Sequence, residues 1–133
     1  MKSIRLFLLA FFAFIGLTSF VYTPGIVPGK ANTNNPASQE IFRYIRCHRQ
    51  AKNIVVTWGM TSENNVDHYV IYHSEDNDFY YPLGDPIPAG DMKYSIKQES
   101  VFPGYHYYYI QAVMSAGSPV NSAVDVVRVV SHG

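Results

Sequence analysis

The run Pro103-Gly104-Tyr105-His106-Tyr107-Tyr108-Tyr109-Ile110-Gln111-Ala112-Val113 admits few backbone conformations. A Pro-Gly turn feeds aromatic and β-branched residues, which pack well on a pleated, half-buried surface and poorly along a helix. A strand this apolar needs partners on both edges and a cover on at least one face. The rest of the chain supplies candidates for both.

Ile54-Val55-Val56-Thr57-Trp58 reads as a strand with Ile54, Val56 and Trp58 on one face, since alternate side chains of an extended chain share a side. Asp67-His68-Tyr69-Val70-Ile71-Tyr72-His73 is a second, with Tyr69 and Ile71 opposite to Val70 and Tyr72. The turn Ser74 to Asp78 follows, then a short strand Phe79-Tyr80-Tyr81 stopped by Pro82. Gly84 to Asp91, with two prolines and two glycines, is loop or sheet edge. Tyr94 to Lys97 alternates again, and Val124 to Val130 closes the chain as a valine-rich strand. Ile41 to Gln50 allows two readings. As a helix it carries Arg43, Arg46, Arg49 and Lys52 on one stripe; as a strand, the preferred reading, it leads through Ala51-Lys52-Asn53 into the next one.

The N-terminal fifth differs in kind. Lys2 and Arg5 precede an apolar run from Leu6 to Val21, which Tyr22 to Gly25 ends. This has the build of a secretory signal, and at about 16 residues the run is shorter than a comfortable span of ~20. The expected organisation is a signal peptide or signal anchor over 1–22, a flexible linker rich in Pro, Gly, Asn and Ser over 23–40, and a β-domain over 41–131. Export follows from this reading, to the extracellular space, the periplasm or the cell surface. Membrane contact is expected only through an uncleaved N-terminal segment.

Composition narrows function mainly by exclusion. Basic and acidic residues number 10 each, and a leader removed with Lys2 and Arg5 leaves 8 against 10. No concentrated positive field marks a nucleic-acid surface. Cys47 is the only cysteine, so the domain has no internal disulfide. The five histidines give no local ligand pair: His68 and His73 are five apart on a strand and face opposite sides, and strand histidines are expected in solvent. Glu75-Asp76-Asn77-Asp78 lacks the glycine and distal glutamate of a calcium loop and reads as a solvated turn. No phosphate loop, nucleophile elbow or placed triad is present. The sequence therefore predicts no metal, no cofactor and no catalytic residue.

Seven short strands separated by turn signals predict an all-β, two-sheet sandwich. In that frame the domain resembles fibronectin type III domains of exported bacterial surface proteins. The resemblance rests on Trp58 at the end of the second strand, on Asp67-His68-Tyr69-x-Ile71-Tyr72 and on the Pro103-Gly104 turn. The tyrosine-rich sixth strand leading to Ala112-Val113-x-x-Ala116-Gly117 completes it. It implies an immunoglobulin-like architecture and a non-enzymatic interaction or adhesion role. The family's spacing after Pro-Gly selects Tyr107 as the inward corner tyrosine, whereas counting back from Ala112 selects Tyr108. The registers differ by one residue, so the strand holds a bulge or the turn is one residue short. The second count is preferred because the first buries Gln111.

The expected core is then Val56, Trp58, Tyr69, Ile71, Tyr108, Ile110 and Ala112. Val70, Tyr72, Tyr107 and Tyr109 fall on the outer face of one sheet as a tyrosine patch. Such a patch either packs across strands to steady the sheet or serves as a recognition surface. The expected partner is a protein, or in the alternative reading a glycan stacked on the rings by a carbohydrate-binding accessory domain.

Overall fold

The computed structural model describes Ala37 and residues 41–131, so the expected leader and nearly all of the linker lie outside the described residues. Eight strands follow one another: β1 Phe42–Gln50, β2 Asn53–Met60, β3 Val66–Ser74, β4 Tyr81–Pro88, β5 Lys93–Gln98, β6 Gly104–Met114, β7 Val120–Asn121 and β8 Asp125–Val129. Among the described residues no helix is long and apolar enough to cross a membrane.

The strands form two antiparallel sheets packed as an all-β sandwich. One has the order β1-β2-β5; the other runs β4-β3-β6, with β7 and β8 both on the far edge of β6. β7 lies opposite Gln111 and Ala112, and β8 lies opposite Gly104 to Tyr108. The two-residue β7 is one strand more than the seven expected.

Phe42–Gln50 is strand. Gln50 pairs with Asn53 across a tight turn in which Ala51 takes a φ of 56°. Arg43 and Arg46 are exposed and Arg49 half-buried, so the basic stripe of the helical reading does not exist. The Phe79–Tyr81 strand is also corrected, because β4 begins at Tyr81, where the expected strand ended. It runs through Pro82, Pro86 and Pro88, which is feasible because β4 is a sheet edge and needs few N–H groups for pairing. Gly84 to Pro86 stand opposite Val70 alone, and Gly84 takes a φ of 72°, so the edge bends at that point.

The β6 register resolves the tyrosine question. Pairing with β8 runs without a shift from Gly104 to Tyr108, so no bulge intervenes and the turn is the short element. His106, Tyr108, Ile110 and Ala112 point inward and are buried. Val56, Trp58, Tyr69 and Ile71 meet Tyr108, Ile110 and Ala112 in one cluster. Trp58 stacks on Tyr94 at 5.0 Å and meets Tyr69 edge-on at 5.9 Å. A ring of this size contributes upward of about 2 kcal/mol by burial alone, so these three dominate the interior. The Tyr108 hydroxyl donates to Gln98 Oε1 at 2.5 Å, tying β6 of one sheet to the end of β5 of the other.

Candidate functional site

Tyr72 and Tyr109 face outward from neighbouring strands and stack at 4.9 Å and 13°. Val70, Tyr72 and Tyr107 are half-buried on that face. Tyr109 does not belong to an open patch. Tyr80 folds back from the β3–β4 connection and covers it at 4.9 Å, leaving each ring 1% exposed. Tyr80 is pinned there by its hydroxyl, which donates to Asn77 Oδ1 at 2.5 Å. Reading Tyr80 as part of a strand concealed this cover, because a segment that folds back has no periodicity to reveal it.

The most exposed aromatic rings among the described residues are Phe79, Tyr81, Phe102 and Tyr105, at 50%, 63%, 77% and 52% exposure. Phe79 and Phe102 come from the β3–β4 and β5–β6 connections, and Tyr81 and Tyr105 from the first residues of β4 and β6, at one end of the five-stranded sheet. Phe79 and Tyr81 line a cleft of about 400 Å³ with His73, Ser74, Glu75 and Asp76. Phe102 and Tyr105 line another of about 320 Å³ with His106 and Glu75, and Glu75 borders both. Arg128 from β8 lies over the Tyr105 ring at 5.6 Å. The rim is thus acidic and aromatic on the Glu75 side, with one cation beside Tyr105.

The β3–β4 connection is built by Asp76. Its Oδ1 accepts from the amides of Asp78 and Phe79 at 2.9 Å each and from Ser74 Oγ at 2.8 Å. Those amides and then the Ser74 hydroxyl hold the Asp76 carboxyl below its ordinary value. Asn77 supplies the left-handed step at φ 60°, which a short polar side chain tolerates. Asp76 is thereby committed to its own loop, while Glu75 faces the clefts.

Between the clefts lies a pair of histidines. His73 Nε2 and His106 Nδ1 are 2.9 Å apart, with the ring planes within 11° of parallel and the centroids 5.1 Å apart, so the rings meet edge to edge. His73 stacks on Tyr108 at 4.9 Å. His106 Nε2 donates to the Phe102 carbonyl at 2.8 Å, which in the neutral ring leaves the lone pair on Nδ1, facing His73. Burial, and then the neighbouring His106, push the His73 pKa below its ordinary value. Solvent exposure was the expectation for strand histidines, and for this pair it is overturned: His106 is 2% exposed and His73 half-buried. His48 is exposed, and His68 is half-buried with Nδ1 2.6 Å from Asp67 Oδ2. Only pairs along one strand were legible in the sequence. His73 and His106 are 33 residues apart and meet through the β3–β6 register.

The thiol of Cys47 sits at the seam of the two sheets, where the Cys47 amide donates to Asp125 Oδ2 at 2.6 Å. Burial first, and then the Asp125 carboxylate, push the thiol pKa up, which disfavours the thiolate. A scan against protein-family models and a search of curated proteins return no match to the chain.

Proposed function

We propose that the chain is an exported, non-enzymatic docking module of the fibronectin type III kind, presenting the loop-built end of its five-stranded sheet to a protein partner. The supports for the fold name are the strand order, with β4 beside β3 and β7–β8 beside β6, the interior Trp58 on β2 and the inward Tyr108. Export rests on the charged, then apolar, leader pattern.

The observation that carries docking is the set of four exposed rings, Phe79, Tyr81, Phe102 and Tyr105, around clefts bordered by Glu75. Aromatic rings offer rigid apolar area with little entropy to lose, and they dominate binding energy where they enter a partner's pockets. The three carboxylates Glu75, Asp76 and Asp78 on the same connection favour a partner segment that brings a cation with its apolar side chains. The glycan reading draws on the same rings, since sugar faces stack on them, and a glycan array separates the two.

The test is a crosslinking pull-down from the native envelope with the full chain and with its Tyr81→Ser, Phe102→Ser double variant. Both rings are largely in water, so melting stays within about 0.5 kcal/mol of wild type while capture falls at least tenfold. Equal capture by both proteins sinks the reading.

A further inference from the structure

We propose that His73, His106 and Glu75 form a binding site for a divalent transition metal of the zinc class. His73 stands directly across from Tyr108, and Ser74 from Tyr107. β3 ends at Ser74, and Glu75, the next residue, opens the connection and borders the same cleft as His106. His73 and His106 project from the inner faces of their strands at the mouth of the sandwich, and Glu75 stands exposed at the rim beside them. Their ligand atoms lie within 4.8 Å of one another.

The donors suit zinc chemically. Two imidazoles and a carboxylate match zinc and its neighbours, whereas calcium and magnesium prefer oxygen alone. His106 already has the outer contact typical of a metal-bound histidine. Its Nε2–H donates to the Phe102 carbonyl at 2.8 Å, which orients the ring and leaves Nδ1 as the donor. His73 Nε2 and His106 Nδ1 are 2.9 Å apart, and two nitrogen ligands of a tetrahedral zinc stand roughly 3.3 Å apart. A few tenths of an ångström of separation, with a tilt of the His73 ring that turns both lone pairs toward one point, admits the ion.

On binding, the hydrogen between the two rings is replaced by two N–metal bonds. The proton on His73 Nε2 moves to its own Nδ1, so the neutral pair loses none. Glu75 reaches the ion from the rim shared by the two clefts. Three protein ligands leave a fourth position, which a water or a donor from a docked molecule fills. Uptake of metal requires no partner, so the site stands or falls apart from the docking reading.

The test uses the full, untagged chain, stripped with chelator and titrated with zinc by calorimetry, with bound metal counted after dialysis. One equivalent per chain is expected at micromolar free zinc, with a melting temperature that rises with zinc concentration. Glu75→Gln and His73→Ala each lower affinity by more than the roughly 10–100-fold that loss of an outer-shell partner produces. Because His106 is buried and its variants are at risk of misfolding, its ligation is read in the wild type from the nitrogen NMR shift of Nδ1. His48→Ala and His68→Ala leave uptake unchanged, and a thousandfold excess of calcium does not displace zinc. Absence of stoichiometric uptake overturns the site. So does uptake that survives His73→Ala in a folded protein, or uptake that follows His48, His68 or His132.

Discussion

Tyr109 shows how a single side chain changes meaning once the chain is folded. By alternation it points away from the core, yet Tyr72 and Tyr80 enclose it, and its hydroxyl has no hydrogen-bond partner among the described residues. A buried hydroxyl without a partner has given up its water for nothing. Tyr109→Phe is therefore expected to be neutral or to stabilise by up to about 1 kcal/mol in urea unfolding. Tyr109→Ser empties the space under Tyr80 and lowers stability by about 3 kcal/mol or more. Equal losses for both variants contradict this account. His106 carries the same lesson: it lies on the inner face with Tyr108, and a strand histidine so placed is interior, not solvated.

At the scale of elements, Glu63 joins segments that pairing alone leaves loose. Its Oε1 accepts from Tyr69 Oη on β3 at 2.7 Å and from Tyr94 Oη on β5, and its Oε2 accepts from the Gly90 amide at 3.0 Å. The β2–β3 connection is thus fastened to both sheets and to the β4–β5 connection. Burial alone raises the carboxyl pKa, but the Tyr94 and Tyr69 hydroxyls, with the amides of Gly90 and Met92, outweigh it. The folded value is held below the ordinary 4.5. A depressed carboxylate stabilises the fold fully above its unfolded value and loses that contribution as pH falls through the folded one. Glu63→Gln is expected to lower stability by about 1–2 kcal/mol at pH 7. The gap in melting temperature between the two proteins then closes as pH drops below about 4.5. A gap that is constant with pH contradicts the assignment.

For the molecule as a whole, the question is what fixes one sheet against the other besides the shared apolar interior. Edge strand β1 offers backbone donors that have no strand partner on its outer side, and β8 approaches it from the other sheet. Asp125 at the start of β8 accepts from the Cys47 amide at 2.6 Å and so closes that seam with a charge-assisted bond. Asp125→Ala leaves a half-buried amide without its acceptor, and a loss of about 1–3 kcal/mol is expected in urea unfolding followed by Trp58 fluorescence. Faster amide exchange at Cys47 should accompany it. An unchanged midpoint together with unchanged exchange removes Asp125 from this role. The β4 edge of the other sheet is managed differently: its prolines deny an approaching strand hydrogen bonds.

Alternation is a local property, so the sequence by itself determined which side chains of β2, β3 and β6 face inward, and with them the two-sheet architecture around Trp58, Tyr69 and Tyr108. It also determined, through the preference for Ala112 over Gln111 as an interior residue, which tyrosine of the run points in. Tertiary structure alone decided what lies over those faces. Tyr80 closes on Tyr109, the open rings gather around two connections and the strand starts that follow them, and His73 meets His106, all through chain reversals and registers that bring distant segments within ångströms. Periodicity says which way a side chain points; only the folded path of the chain says what it meets there.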